Sequence, residues 1–538
     1  MLAWSEPKLL LSQKMSLLTT TLLNPRNFRL VIAALATTCI LFVLLFFPPG
    51  SQISTAALDV KPAAGTSALQ PSAVPSTSTV ADLTPAETAL LTDLTQYFTD
   101  HPIQKPYKEK YGELGRRLRI VRDWLTLAQQ ASNNPTTRAV YADAVEQVVR
   151  AQFPFLTHPA NPTTSTQPLA HLRASFEPQS AGIVIPTSDK TVRYAAHLIG
   201  ALRTVLHSSL PIQVVYAGDT DLSPAHRDLL ATLAGPDPAA APAIEFLDIL
   251  TVFDDATLQL RTGGWAIKAF AALGSRFETV ILADADAVFL QRPEVLLGHE
   301  AVRQRGALLF HDRLLWPHAF AGRHAWWHDQ IRRPSGALNA SRVWTEEYAE
   351  EGDSGLVVLD KGRVDVLVGL LHVCWQNSFE VREETTYKIT YGDKESWWFG
   401  LEVAGAEYAF SPHYGGIVGW EREEAVDESG AVVPGTGGGG VCSFVIAHVD
   451  ARDRLLWYNG SLLKNKGQPG MENEYQVPEK WMIDADWIKG ERKQDQSCMV
   501  NGVVRDLTDE EKGILARSIE LAKSLDGLVQ PVQPVQPG

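Results

Sequence analysis

Two carboxylates one residue apart, Asp284 and Asp286, have the type and spacing that most directly suggest chemistry in this chain. They follow a short apolar run, residues 280–283, which is typical of a buried strand of a parallel sheet. If the strand geometry persists through Asp286, both side chains point to the same side. Ligands of open α/β sheets bind outside the carboxyl ends of the strands. The pair therefore predicts a site for Mg²⁺ or Mn²⁺, with substrate phosphates as further ligands.

The same pair has a simpler interpretation. Asp-x-Asp occurs often by chance, and aspartates that follow strands frequently stabilise turns or cap helices instead of binding ions. The position after a buried strand favours the metal site, but the two residues alone do not decide between these interpretations. The elements that would have to position them are therefore the next question.

Strands and helices alternate over about a hundred residues before the acid pair. Apolar runs at 182–186, 211–216, 244–249 and 279–283 predict strands, and helical spacing of apolar residues fills the segments between them. Such alternation predicts right-handed crossovers and a mostly parallel sheet covered on both faces. The fold class is therefore predicted to be α/β and doubly wound, the usual home of nucleotide sites. Further strands are predicted beyond the pair, including one over 441–449, and a final helix over 509–525.

The N-terminal part of the chain has a different character. Residues 30–47 are uncharged and mostly apolar, which is enough to cross a bilayer. Because basic residues precede this segment, we expect a cytosolic tail at 1–29, a transmembrane signal anchor at 30–47 and a lumenal remainder. A cleaved signal peptide is the alternative. Residues 48–84, rich in Ser, Thr and Pro, predict a stem, residues 85–156 a small helical subdomain, and residues 526–538 a disordered tail.

Charge and cysteine usage exclude some classes of function. The formal net charge of −14 argues against a nucleic-acid-binding surface, so no nucleic-acid partner is expected. No C-x-x-C pair occurs, which argues against structural zinc. Cys39 lies in the predicted anchor, so Cys374, Cys442 and Cys498 allow at most one disulfide within the downstream part. Which two would pair, or whether all three are free thiols, stays open.

The order of the motifs from about 182 to 466 resembles the fungal Golgi α-1,3-mannosyltransferases, type II membrane proteins with a GT-A glycosyltransferase domain. The resemblance places that domain at residues 180–500. It rests on a series of short motifs: GGWAIK at 263–268, ILADADAVF at 281–289, GALLFHDR at 306–313, DSGLVVLDK at 353–361, YGDKE at 391–395, PHYGG at 412–416, HVD at 448–450 and LWYNG at 456–460.

The resemblance implies a reaction and its partners. Mannose would pass from GDP-mannose to a mannosyl glycan of a glycoprotein, with retention at the anomeric carbon and Mn²⁺, or Mg²⁺, as the cofactor. A diphosphate leaves in this reaction, and a divalent cation can neutralise the charge that develops on it. The implied location is the Golgi membrane, with one transmembrane helix and a lumenal catalytic domain. A Golgi complex with other glycosyltransferases is a further implied partner.

The resemblance also assigns candidate residues. Asp284 and Asp286 correspond to the family's Asp-x-Asp motif, with Asp286 on the metal and Asp284 on the metal or the donor's ribose, and His448 is implied as a third metal ligand. Asp353, Asp393 and Glu395 are candidate catalytic residues, although helix capping is the simpler role for Asp393 and Glu395. Four residues are positional candidates for the nucleotide or its diphosphate: Pro186, Thr187, Arg193 and Asp219. Lys268 is either a diphosphate contact or an exposed helix lysine, and Trp397 and Trp398 either stack on a sugar or are buried.

Two other functions compete with this interpretation. One keeps the fold and changes the specificity, to an α-1,2-mannosyltransferase or a transferase of another nucleotide sugar. The other is a catalytically silent glycan-binding protein of the Golgi. The acid pair and the candidate third ligand His448 are intact in this chain, which favours an enzyme.

Overall fold

The structure is a computed structural model that describes residues 82–234, 242–422, 439–468, 470–492 and 495–529. The predicted cytosolic tail, the predicted anchor at 30–47 and nearly all of the predicted stem lie outside these ranges. Residues 530–538 of the predicted tail also lie outside them, whereas Asp526 is the last residue of a helix. Within the described ranges, no helix combines the length and apolar character that crossing a bilayer requires.

The strands of the described residues belong to three sheets. In chain order they are β1 (Glu177–Pro186), β2 (Ile212–Tyr216), β3 (Ile244–Asp248), β4 (Phe277–Ala283), β5 (Ala287–Phe289), β6 (Ala307–His311), β7 (Gly352–Asp360), β8 (Ala409–Phe410), β9 (Ile417–Glu421), β10 (Gly440–Ser443), β11 (Ile446–Val449), β12 (Leu455–Asn459), β13 (Lys480–Met482), β14 (Asp486–Ile488), β15 (Ser497–Val500) and β16 (Arg505–Asp506).

The α-helices of the described residues are interleaved with these strands. They are α1 (Pro85–Asp100), α2 (Tyr111–Gln130), α3 (Pro135–Gln152), α4 (Pro168–Ala174), α5 (Val192–Gly200), α6 (Pro224–Ala231), α7 (Asp255–Leu258), α8 (Ile267–Gly274), α9 (Glu294–Leu297), α10 (Glu300–Arg305), α11 (Ala321–Gln330), α12 (Gly336–Asn339), α13 (Arg342–Glu346), α14 (Val364–Gln376), α15 (Phe379–Val381), α16 (Tyr387–Ile389), α17 (Ser396–Ala404) and α18 (Asp509–Asp526).

The main sheet has the strand order β3-β2-β1-β4-β7-β6-β8. Four of its pairings are parallel, β2 with β3, β1 with β2, β1 with β4 and β6 with β8. The prediction of a mixed α/β fold with a mostly parallel sheet is therefore confirmed. Strand β7 runs antiparallel to both β4 and β6. Consequently the amino end of β7 lies beside the carboxyl end of β4, where Ala283 is paired with Leu356.

Alternating residues of the central strands enter two separate cores. In β4, Val280 and Leu282 pack into one apolar cluster, which also contains buried residues of α8, α14 and α17. Ile281 and Ala283 pack into the other, with residues of α5 and α18. This two-residue alternation is what a strand with both faces covered requires. The end of β4 is thus fixed from both sides of the sheet.

The residue types at its start explain where the first helix, α1, begins. Thr84 accepts from the backbone N–H of Glu87 and forms a capping box ahead of α1, with Pro85 in the first turn. The helices α1 to α3 share the first core with the sheet domain. The fully buried Tyr111 of α2, for example, packs against Trp326, Trp375 and Phe399.

The C-terminal region differs from the prediction in two respects. The single strand predicted over 441–449 is two strands, β10 and β11, which belong to different sheets. Strands β13 to β16 after residue 475 were not predicted, because runs of two to four residues are too short to show a period. Strands β9, β10 and β13 to β16 form one antiparallel sheet, and β5, β11 and β12 form another.

A disulfide between Cys442 of β10 and Cys498 of β15 resolves the pairing that the sequence leaves open. Cys374 is a buried free thiol. The bridge closes a separation of 56 residues in the chain. Cross-links over loops of this length typically stabilise a protein by about 2–5 kcal/mol.

We expect reduction of this bridge to lower the midpoint of thermal unfolding, because the unfolded chain regains the freedom that the cross-link removes. The measurement is a melting curve with and without dithiothreitol. The double variant Cys442→Ser/Cys498→Ser is the control, and dithiothreitol should leave its midpoint unchanged. In denaturant without reductant, an alkylating reagent should modify Cys374 but neither Cys442 nor Cys498. Modification of Cys442 and Cys498 under these conditions would contradict the pairing.

Candidate functional site

A cavity of about 790 Å³ lies at the carboxyl ends of β1 and β4. Seven of the predicted site residues line it: Pro186, Thr187, Lys268, Asp284, Asp286, Asp353 and Asp393. A larger cavity, of about 1520 Å³, has entirely different walls that include Arg305 and Tyr414, and it contains none of the predicted residues. The smaller cavity is therefore the candidate functional site, since the predicted site residues line it and not the larger one.

Asp284 and Asp286 lie in a tight turn and not in an extended strand, because β4 ends at Ala283. The turn is closed by the N–H of Ala287, which donates to the carbonyl of Asp284 at 3.0 Å, and the N–H of Asp284 donates to Gly355 of β7 at 2.9 Å. Both carboxylates nevertheless line the same cavity. The two acids therefore share one cavity, although a turn and not the predicted extended strand brings them there.

Lys268 connects three segments of the site. It lies in the first turn of α8, and its Nζ is 2.9 Å from Asp284 and 3.2 Å from Asp393. The same ammonium donates to the carbonyl of Ser354 at 2.6 Å. Only 4% of the residue is exposed, which excludes the alternative of an exposed helix lysine.

Burial and this ion pair act in opposite directions on the charges. Burial alone would lower the pKa of Lys268, but Asp284 and Asp393 raise it above its ordinary value. Burial raises the pKa of the Asp284 carboxyl to about 6, against the lowering effect of Lys268. Lys268 therefore stays charged, and the site carries a fixed positive group among its acids.

Lys466 is a second lysine of the site, and no local sequence pattern indicates it. Its Nζ forms an ion pair with Asp286, although the two residues are 180 positions apart in the chain. Burial opposes the charge, but Asp286 raises the pKa of Lys466. Each carboxylate of the acid pair thus has its own ammonium partner.

Asp353 lines the cavity and is held from behind by His448. One carboxylate oxygen of Asp353 lies 3.0 Å from Nε2 of His448, and the other accepts from the N–H of Gly355 at 2.9 Å. Asn459, a further residue that the sequence analysis did not assign to the site, donates to Asp353 at 3.3 Å. Burial raises the pKa of Asp353, but the hydrogen bond and charge of His448 outweigh it and bring the pKa below its ordinary value.

His448, which the resemblance implies as a third metal ligand, contacts Asp353 in this structure. Its imidazole stacks on Trp457 with ring centroids 4.5 Å apart, and it is not among the residues that line the cavity. It therefore orients Asp353, and its role as a metal ligand stays a prediction.

The two acids of the motif at 391–395, Asp393 and Glu395, lie in different environments. Asp393 lines the cavity and also accepts from Nε1 of Trp397 at 2.9 Å. Glu395 is buried and does not line the cavity, because its carboxylate accepts from Nε1 of Trp398 at 2.6 Å and from the N–H of Glu351 at 3.1 Å. Glu395, a predicted catalytic candidate, therefore lies outside the cavity wall. Trp397 and Trp398 are themselves buried, so neither stacks on a sugar.

Two of the positional candidates for the nucleotide are also placed elsewhere. Arg193 forms an ion pair with Asp526 of α18, with Nε 2.7 Å from the carboxylate, and this contact turns it away from the cavity. Asp219 is an exposed acid that pairs with Arg227 at 2.8 Å. Pro186 and Thr187, which end and follow β1, do line the cavity, as the position after a parallel strand predicts.

The residues offer a divalent cation two carboxylates on one cavity wall. No cluster of three or more His, Cys, Asp or Glu side chains arranged to hold a metal occurs in the described part of the chain. Two acidic ligands fit Mg²⁺ or Mn²⁺ when substrate phosphates and water supply the rest. The acid pair fits such an ion, and the predicted third ligand, His448, hydrogen-bonds Asp353.

Comparison with known proteins gives the family. Residues 180–450, half of the chain, match the sequence profile of the Mannosyl_trans3 family, described as a mannosyltransferase. The chain belongs to this family. The matched segment contains most of β1, all of β2 to β11 and the acids that line the cavity. The predicted resemblance to fungal α-1,3-mannosyltransferases is confirmed.

Individual relatives of this mannosyltransferase-family chain are distant. The α-1,3-mannosyltransferases MNT3 and MNT2 of Saccharomyces cerevisiae are 29% and 25% identical to it over 55% and 53% of the chain. The matches cover 49% and 52% of those proteins, so the chain spans about half the length of the relatives it matches.

Two solved structures also match parts of the family chain. The mannosyltransferase Ktr4p from S. cerevisiae, solved in complex with GDP, matches 61% of this chain and 83% of its own, with 10% identity and a TM-score of 0.29. The galactosyltransferase LgtC, in complex with donor and acceptor sugar analogs, matches 43% and 73%, with 16% identity and a TM-score of 0.28. Such scores are too low to establish a shared fold.

Glu395 makes the stability of the chain depend on pH. Burial raises its pKa to about 8, whereas the same carboxyl in the unfolded chain titrates near an ordinary value of about 4.3. The folded state therefore retains a proton that the unfolded state loses. The contribution of Glu395 to the free energy of unfolding is full below about pH 4 and falls as pH rises towards 8. The slope for one such proton is about 1.4 kcal/mol per pH unit.

We expect Glu395→Gln to remove this part of the pH dependence, because the amide does not titrate. The measurement is the free energy of unfolding in urea between pH 5 and 8. Glu520→Gln is the matched control, since Glu520 is exposed and pairs only with Lys523. A slope in Glu395→Gln that equals the slope of the wild type and of the control would show that Glu395 is already ionised in the folded state.

Proposed function

We propose that this chain is a retaining α-1,3-mannosyltransferase that transfers mannose from GDP-mannose to mannosyl glycans of glycoproteins. We further propose that its catalytic part is a GT-A type domain over residues 180–500, carried on a helical subdomain over residues 85–156. Membership of the mannosyltransferase family supports the reaction class. The names of the matched relatives, which are α-1,3-mannosyltransferases, support the linkage.

The charged side chains that line the cavity support the proposal independently of family membership. The acid pair lines the cavity together with Lys268, Lys466 and two of the cavity's further acids, Asp353 and Asp393. A nucleoside diphosphate sugar presents negative charge at its phosphates and develops positive charge at its anomeric carbon as the bond breaks. The cavity offers ammonium groups for the phosphates and carboxylates for the anomeric carbon.

The ammonium groups suit the leaving diphosphate. As the bond between the anomeric carbon and the phosphate oxygen breaks, its electron pair leaves with GDP, and cationic groups that are already in place stabilise the charge. Lys268 is fixed by Asp284, Asp393 and Ser354, so it would not need to reorganise. Lys466 reaches the same wall from the C-terminal part of the chain.

Asp353 and Asp393 are placed to act on the sugar. Asp353 and Asp393 line the cavity and carry hydrogen bonds that fix their orientation. A carboxylate beside the anomeric carbon stabilises an oxocarbenium-like transition state electrostatically. With retention, the acceptor oxygen bonds to the anomeric carbon on the face that the diphosphate leaves, and the hydroxyl proton passes to the departing phosphate oxygen.

We propose that the acid pair holds Mn²⁺, or Mg²⁺, together with the donor's diphosphate. When bound, such an ion supplies Lewis-acid neutralisation of the leaving group. Asp284 and Asp286 are the residues that would hold it, since both carboxylates line the cavity beside the two lysines. The ion would share these carboxylates with the ammonium groups of Lys268 and Lys466.

We also propose that the protein is a single-pass type II protein of the Golgi membrane with a lumenal catalytic domain. The apolar segment at 30–47 and the basic residues before it support this orientation. The disulfide between Cys442 and Cys498 supports an oxidising compartment, because cytosolic proteins rarely keep such bonds. A Golgi complex with other glycosyltransferases belongs to the same proposal.

We expect Asp286→Asn to lower kcat/KM for GDP-mannose by about 100-fold or more, because one charged group on the diphosphate side of the cavity is lost. The measurement is GDP release with mannobiose as the acceptor, followed by linkage analysis of the product. Asp219→Asn is the matched control, since Asp219 is an exposed acid outside the cavity. Thermal melting of both variants shows that they are folded.

Other outcomes separate the competing functions. An α-1,2-linked product would show that the protein is an α-1,2-mannosyltransferase and not an α-1,3-mannosyltransferase. Turnover of UDP-sugars but not of GDP-mannose would overturn the proposed donor. A folded wild type that binds mannobiose without releasing GDP would indicate the silent glycan-binding protein.

We expect EDTA to abolish turnover and added Mn²⁺ to restore it, because a metal-bound diphosphate is a better leaving group. Calorimetry gives a readout independent of turnover: GDP should bind the wild type more tightly with Mn²⁺ than with EDTA. The same comparison in Asp286→Asn is the control, and Mn²⁺ should have little effect there. Equal GDP affinity with Mn²⁺ and EDTA in the wild type would contradict the proposed metal site.

A further inference from the structure

Two exposed aromatic side chains lie at the mouth of the candidate site. Trp265 is 49% exposed and Tyr391 is 55% exposed, and both line the cavity that contains Asp284 and Asp393. Their ring centroids are 5.5 Å apart and their planes are tilted by 47°. Leaving large aromatic surfaces in water forgoes the stabilisation that burial would give, so an adjacent pair on a cavity wall indicates a binding surface.

The backbone is shaped to hold these rings. Gly392 has φ +65°, and a Cβ at that position would lie 2.8 Å from Cε3 of Trp265. The absence of a side chain therefore lets the indole lie against the chain. On another side, Tyr387 meets the indole edge-on at 6.4 Å, and its hydroxyl donates to Asn377 at 2.9 Å. Trp265 is thus supported and yet open to solvent.

Both rings are close in sequence to charged residues of the candidate site. Trp265 is three residues before Lys268, and Tyr391 is two residues before Asp393. The ion pair between Lys268 and Asp393 joins the two segments at 3.2 Å. A ligand that rests on the rings is therefore placed in a fixed relation to the acids.

We infer that Trp265 and Tyr391 form a stacking platform for a hexose ring of the acceptor glycan. This inference rests on the proposed function. The C–H faces of a hexose are apolar and pack on aromatic faces, while its hydroxyls need polar partners. Lys394, which also lines the cavity, places its ammonium 5.9 Å from the ring centroid of Tyr391 and is such a partner.

The half-open position of the platform favours the acceptor over the nucleotide. An acceptor glycan remains attached to its carrier and has to extend from the site into solvent, which fits rings that are about half exposed. The donor's diphosphate has to reach the ammonium of Lys268, and that residue is only 4% exposed. A guanine base that stacks on the rings is the competing occupant, and it would depend on the same aromatic surface.

The test compares Trp265→Ala, Trp265→Phe and Tyr391→Ala in the full chain. We expect Trp265→Ala and Tyr391→Ala to raise KM for mannobiose by about 5–20-fold, the usual effect of one lost stacking contact. The affinity for GDP and the slow hydrolysis of GDP-mannose without acceptor should not change. Trp265→Phe keeps an aromatic face and should retain most of the acceptor affinity. Trp316→Ala is the matched control, because Trp316 is equally exposed, at 49%, and does not line this cavity.

The outcomes are distinguishable. A weaker affinity for GDP in Trp265→Ala with an unchanged KM for mannobiose would assign the platform to the guanine base and overturn the inference, as would no change in either quantity. If the wild type does not use GDP-mannose, the proposed function fails. Saturation-transfer NMR of mannobiose binding to the wild type and to Tyr391→Ala then still tests the platform, and equal binding to both would overturn it.

Discussion

The buried ammonium of Lys268 is the interaction on which the candidate site depends. It joins the turn after β4, the amino end of β7 and the segment before α17 through Asp284, Ser354 and Asp393. Two carboxylates in so enclosed a position would repel each other and lose their hydration without it. Removing one partner of a buried ion pair costs about 3–5 kcal/mol, because the other charge is left uncompensated. The lysine therefore positions the acids and stabilises the region that holds them.

The direction of one strand determines which acids can meet. Because β7 is antiparallel to β4, its amino end lies beside the carboxyl end of β4. Asp353, at the start of β7, therefore reaches the cavity that Asp284 and Asp286 enter from the end of β4. A parallel β7 would place Asp353 at the opposite edge of the sheet. The mixed sheet thus concentrates charge where a purely parallel sheet would separate it.

Around this cavity the residues occupy two layers. The inner layer, which includes Asp286, Asp353 and Asp393, lines the space that a substrate would fill. The outer layer holds the inner one in place, as His448 does for Asp353 and as Trp397 does for Asp393. His448 is packed between Phe310 and Trp457, so its imidazole has little freedom to turn towards an ion. The contact that the structure shows for His448 is with the carboxylate of Asp353, which it holds in place.

The sequence determined the features that depend on near neighbours. The strand before Asp284, the capping box of α1 and the shared cavity of the acid pair all follow from residue types a few positions apart. The motifs were also enough to predict the family. Periodicity did not reveal the short C-terminal strands, because two to four residues do not complete a pattern.

Only the tertiary structure decided the contacts between distant segments. Lys466 meets Asp286 across 180 residues and His448 meets Asp353 across 95, and no local pattern encodes either contact. Glu395 and Asp393 are two residues apart, yet one is enclosed beside Trp398 and the other faces the cavity. Which side chain is buried depends on the packing of remote elements around it, so residue type and spacing were insufficient to separate catalytic candidates from supporting ones.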